Sequence, residues 1–78
     1  MIIDEQYEGA FAENRDSLRL LEIAFNLAGL DVSFHCCVEP VYGKVVEVFK
    51  NKRIDKRISI EADSLGQAIK DVAAGVRL

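Results

Sequence analysis

A chain of 78 residues, half of them hydrophobic and only one a proline, suits a single compact domain and excludes a disordered one. Its net charge of −3 is not the strongly basic balance of a general nucleic-acid binder. Its only two cysteines, Cys36 and Cys37, are adjacent and would point to opposite faces of a strand, which excludes a disulfide framework.

A domain this small buries only about 60 to 65% of the surface its unfolded chain exposes, so a homodimer or another protein partner is expected to supplement its core. Unpaired thiols and an acidic start, Met1-Ile2-Ile3-Asp4-Glu5, predict a cytoplasmic protein without a secretory signal. With no apolar run long enough to span a bilayer, no membrane association is expected. Charge is unevenly spread: residues 1–43 carry eight acids and two bases, residues 44–78 eight bases and five acids. A basic tip seeking an anionic partner is one reading of that asymmetry, and an ordinary solvated surface is the other.

Residues 1–13 stand apart as a weakly periodic, acidic segment, either helical or less ordered, with Gly9 interrupting it. From Asn14 a helix is expected, with Asn14, Asp16 and Ser17 as alternative caps for its first-turn amides. Leu18, Leu21, Phe25 and Ala28 recur at helical spacing, and Leu20, Ile23, Ala24 and Leu27 widen the apolar face. Such a face predicts two neighbours, a sheet and either a second helix or another subunit. Arg15, Arg19, Glu22 and Asn26 form the narrow polar side, and Gly29 supplies the stop.

From Asp31 the period becomes two. Val32, Phe34, Cys36 and Val38 alternate with Ser33, His35, Cys37 and Glu39, the pattern of a half-buried strand. Glu39-Pro40-Val41-Tyr42-Gly43 forms a loop before a second strand, Lys44 to Lys50. A five-residue loop sets Val38 opposite Lys44, Cys36 opposite Val46 and Phe34 opposite Val48 inside, with Cys37–Val45, His35–Glu47 and Ser33–Phe49 outside. A third strand, Lys56 to Ala62, turns Ile58, Ile60 and Ala62 inward. A three-residue turn before it places Glu47 opposite Arg57; a five-residue turn, which places Val46 opposite Ile60 and Val48 opposite Ile58, pairs more apolar surface and is preferred.

Ser64-Leu65-Gly66-Gln67 is a capping box that opens the last helix. Leu65, Ala68, Ile69, Val72, Ala73 and Val76 form its apolar stripe, and Gly75 marks its end. The predicted fold is α+β, in the order α-β-β-β-α: a three-stranded antiparallel meander with both helices on one face.

Chemistry-bearing clusters are sparse. His35, Cys37 and Glu47 could share the outer sheet face, but zinc needs three or four ligands and the chain offers no second ligand pair. Asp4, Glu5, Glu8 and Glu13 are explained by a helix start, where negative charge is favoured. The five glycines are scattered, so no phosphate-cradling loop exists. No enzymatic activity, metal or cofactor is therefore expected.

Two surfaces remain. Val45, Glu47 and Phe49 make the outer sheet face half apolar, a candidate surface for self-association or for another protein. The hairpin from Lys50 to Arg57 concentrates Lys50, Lys52, Arg53, Lys56 and Arg57, a candidate nucleic-acid-binding site, although it has no aromatic residue on which a base could stack.

The order helix, three strands, helix, with Ser64 opening the last helix, resembles the layout of the double-stranded RNA binding domain over residues 14–76. That resemblance implies phosphate-gripping lysines just after the serine and a Gly-Pro-His loop that enters the minor groove. Here the helix start reads Ser64-Leu65-Gly66-Gln67-Ala68-Ile69 with no lysine until Lys70, and the loop is Glu39-Pro40-Val41-Tyr42-Gly43. Both contact motifs are missing, so the layout alone carries no function.

Overall fold

The computed structural model describes residues 1–60 and 65–77. A four-stranded mixed sheet in the order β1-β2-β3-β4 is covered on one face by two helices, an α+β architecture. Strand β2 spans Val32–Glu39, β3 Gly43–Lys50 and β4 Arg53–Ser59, each antiparallel to the next. Helix α1 spans Arg15–Leu27 and helix α2 Leu65–Arg77.

The strand that sequence patterning does not reveal is β1, Ile2–Ile3, which pairs parallel to β2 with Ile2 opposite His35 and Ile3 opposite Cys36. Two residues are too few to show a period. Between β1 and α1 the chain makes two single 3₁₀ turns, Glu5–Tyr7 and Gly9–Phe11, where a weak helix is predicted. The second turn delivers Phe11 into the core, fully buried. Within residues 1–13, Ile2–Ile3 thus join the sheet and Phe11 joins the core.

Helix α1 begins after Asn14, whose carbonyl accepts from the Leu18 amide, but the Asn14 side chain makes no cap. Its end follows the sequence reading. Gly29 adopts φ +92°, the Gly29 amide donates to the Asn26 carbonyl and the Leu30 amide donates to the Phe25 carbonyl. That pair of bonds is a Schellman turn, which satisfies carbonyls the helix would otherwise leave open.

The β2–β3 hairpin adopts the predicted register throughout, from Val32 opposite Lys50 to Glu39 opposite Gly43. The β3–β4 hairpin does not adopt the preferred one. Asn51 and Lys52, at φ +52° and +65°, form a two-residue turn that pairs Lys50 with Arg53 and Phe49 with Ile54. Asp55 is then skipped as a bulge, and Val48 faces Lys56, Glu47 faces Arg57 and Val46 faces Ile58. Left-handed residues in a two-residue turn match the twist of the strands, and this local geometry outweighs the extra apolar pairing of a five-residue loop. The bulge restores parity, so Ile58 and Ile60 still face the core.

The core joins both helices to the inner sheet face. Leu18 of α1 and Ala68, Val72 and Val76 of α2 pack with Phe34, Cys36, Val46, Val48 and Ile60 around Phe11. Each large apolar side chain removed from water in this way contributes about 1.5–3 kcal/mol. Gly75 does not end α2. It is buried where the helix crosses β4, and a Cβ there would stand 2.2 Å from Ile58 Cδ1. The helix continues and docks Val76 in the core. Ser64, the expected cap of α2, and Ala62, the last inward residue expected of the third strand, lie outside the described residues.

Candidate interaction site

The outer sheet face mixes polar and apolar side chains: Ile2 and Ile54 are exposed there, opposite His35 and Phe49. Val45 is only 3% exposed, at the floor of a 230 Å³ hollow walled by Glu39, Tyr42, Arg57 and Ser59. Beside it, Glu47 is held from both sides. His35 Nδ1 donates to Glu47 Oε1 at 2.8 Å, Arg57 Nε lies 3.3 Å from Glu47 Oε2, and Arg57 also pairs with Glu39. Cross-strand neighbours in an antiparallel sheet converge to about 4.5–5.5 Å, so opposite charges placed by register meet directly. Phe49, half-buried, lines a separate hollow with Ile2, Ser33 and His35. The three residues of the predicted surface are thus split among a covered valine, a neutralised carboxylate and one accessible aromatic ring.

His35 and Glu47 come together as the strand register requires, and Cys37 lies on the same face. Burial pushes the Cys37 thiol up from its ordinary value, Glu47 adds to the rise and Arg57 opposes it. Its thiol is therefore no ready nucleophile. Burial pushes Cys36 up to about 12, helped by Cys37 and Glu22 and opposed by the Met1 amino group. Among the described residues, no group of three or more His, Cys, Asp or Glu side chains is placed to hold a metal ion.

The basic hairpin is largely engaged with the protein itself. Lys56 falls on the inner face after the bulge, and its Nζ donates to the Gly75 carbonyl at 3.0 Å, near the C-terminal end of α2 where a cation is favoured. Lys50 Nζ lies 3.9 Å from Asp55, and Arg57 is held by Glu39 and Glu47. Among the described residues, Lys52 and Arg53 are the hairpin cations without a side-chain partner.

Sequence reasoning places Glu22 and Asn26 on the narrow polar side of α1, and the structure turns both side chains to the backbone of β2. Asn26 Nδ2 donates to the Val32 carbonyl at 2.8 Å, while its Oδ1 accepts from the Val32 amide at 3.1 Å. Glu22 Oε2 accepts from the Phe34 amide at 2.7 Å, and Oε1 accepts from the Met1 amino group at 2.8 Å. These side chains, one turn apart, satisfy the β2 edge that β1 is too short to cover.

The remaining side of α1 carries exposed apolar residues. Leu20 is 67% exposed, Ile23 46% and Leu27 84%; Leu30, also exposed, lies beyond the Schellman turn. The signal for this was present as two overlapping helical stripes, one through Leu18, Leu21 and Phe25 and a second through Leu20, Ile23 and Leu27. The first faces the core, and the second is exposed among the described residues. Among the described residues, no helix is long and apolar enough to cross a membrane. In comparisons with known proteins, the chain matches no family model, no curated protein and no solved structure.

Proposed function

We propose that this chain is a small, non-enzymatic protein-protein interaction module, an accessory or regulatory component that self-associates, in the reducing setting of the cytoplasm. The observation that supports this reading is the apolar row Leu20, Ile23 and Leu27, exposed together on one side of α1. An exposed apolar row of this size is a surface that a partner can cover. The free thiols of Cys36 and Cys37 fit a reducing compartment. Light scattering over a wide range of protein concentration tests the proposal: a mass that rises toward twice that of one chain is expected, and a constant single-chain mass overturns it.

A second reading, nucleic-acid binding by the hairpin, rests on Lys52 and Arg53 at its exposed tip. Fluorescence anisotropy with labelled duplex and single strands at two salt concentrations tests it. Binding that weakens steeply with salt and disappears when Lys52, Arg53, Lys56 and Arg57 become glutamine favours that reading, and no binding at low salt removes it.

A further inference from the structure

The basic hairpin has no aromatic residue of its own, and the sheet face beside it supplies one. Phe49 directly precedes Lys50 and stands opposite Ile54, on the face of the sheet away from the core. Ser33 faces Phe49 and His35 faces Glu47, so the rings of His35 and Phe49 hold diagonal positions, where Cα atoms about 7–8 Å apart still let long side chains meet. Together with Ile2 they line one hollow of 360 Å³; a cavity of about 150 Å³ holds a benzene ring, so this one has room for a purine. Glu47 fixes the His35 ring through Nδ1, and neither His35 Nε2 nor the Ser33 hydroxyl has a partner among the described residues. Each can hydrogen-bond the edge of a flat heterocycle.

Charge selects the occupant. Lys52 in the turn and Arg53 beside Ile54 are exposed and have no side-chain partner among the described residues. The nearby carboxylates are largely engaged: Glu47 by His35 and Arg57, and Asp55 by Lys50, while Asp31, whose carbonyl accepts from the Asn51 amide, opposes the two cations in part. An apolar side chain of a partner protein would fill the hollow but leave Ser33, Lys52 and Arg53 unused. A nucleotide uses all three kinds of group, because its base offers a face to the ring and an edge to the polar groups, and its phosphate meets the cations. In a duplex both faces of each base are covered by its neighbours, so the fitting ligand is a single strand.

We propose that the outer sheet face beside the hairpin binds single-stranded nucleic acid, with one base stacked on Phe49 in the hollow shared with His35 and Ser33 and the flanking phosphates on Lys52 and Arg53. This rests on the nucleic-acid reading of the hairpin and adds the sheet face to it. Fluorescence anisotropy of the full chain tests it, with labelled oligouridylate and oligodeoxythymidylate of about twelve nucleotides, an abasic strand of the same length and a duplex. Circular dichroism confirms that each variant remains folded. The wild-type chain should bind the base-bearing strands about tenfold more tightly than the abasic strand or the duplex. Phe49→Ala should abolish that preference and Phe49→Tyr should keep it, while Lys52→Gln with Arg53→Gln should weaken binding to every strand and flatten its salt dependence. No binding at low salt overturns this site and the hairpin reading together. Binding that needs Lys52 and Arg53 but ignores both the loss of bases and Phe49→Ala overturns the sheet-face site while the hairpin reading stands. A chain that binds no strand, and whose doubled mass in light scattering returns to that of one chain in Phe49→Asp, gives this face to a second copy and overturns the site.

Discussion

On the outer face of the sheet, the apolar Val45 is covered and Glu47 is clasped between His35 and Arg57; on the outer side of α1, Leu20 and Leu27 stand in solvent. The difference lies in the geometry of the two supports. Side chains on one face of a sheet project side by side from three strands, so polar neighbours can close over a small apolar residue without help. Side chains on the far side of a helix diverge from a cylinder, and nothing in the same molecule reaches round to cover them. An apolar residue on a sheet face is therefore weak evidence for a partner in this fold, and a second apolar stripe on a helix is stronger evidence.

The contrast is broken most sharply by comparing the two sides of α1 itself. Leu18→Ala removes a fully buried side chain and should cost about 2–5 kcal/mol, read from the urea midpoint, while Leu27→Ala in dilute protein should change stability by less than about 0.5 kcal/mol. Equal costs would mean that the outer stripe is covered within the monomer. Next in size is Asn26→Leu, which keeps volume but strips the amide and carbonyl of Val32 of their partners. A loss of about 1–3 kcal/mol is expected. Protection of the Val32 amide against hydrogen exchange should fall with it, whereas unchanged protection would show that β2 holds its edge without the helix.

Smaller again is Glu47→Gln, which removes the charge between His35 and Arg57 on a partly exposed surface. A cost of about 0–1 kcal/mol is expected, and it should shrink in high salt. The buried thiol of Cys36 makes stability depend on pH only in alkali. Native Cys36 keeps its proton up to about 12, whereas the unfolded thiol loses it near 9.0. Above that lower value the unfolded state binds fewer protons, so the stability is complete below about pH 9 and declines as pH rises toward 12. Cys36→Val should flatten that decline in denaturant midpoints measured across the alkaline range.

Much of the fold was legible because residues close in sequence determine it. The alternation from Val32 to Lys50 sets the β2–β3 register, and Gly29 ends α1 as its conformational freedom requires. The β3–β4 register was misjudged because pairing was weighed by apolar area, while the left-handed pair Asn51-Lys52 and the bulge at Asp55 are local preferences that no alternation reveals. Gly75 read as a helix end because its role, a close approach to Ile58, depends on a strand some 17 residues earlier. Of the candidate surfaces, the doubled stripe of α1 was visible, but which stripe would face solvent was not. That depends on residues distant in sequence, Phe11 among them, that share the core with Leu18.

Asn26 and Glu22 also decide what kind of assembly this chain can join. A bare β2 edge would invite another strand, and each added chain would expose a fresh edge, which is how open fibrils lengthen. By occupying the Val32 and Phe34 amides with side chains of its own helix, the protein blocks that part of the margin. At the opposite margin, the bulge and the cations of β4 discourage the same event. A helix surface offers no such edge: a two-fold contact made there would leave neither chain a fresh strand for a third.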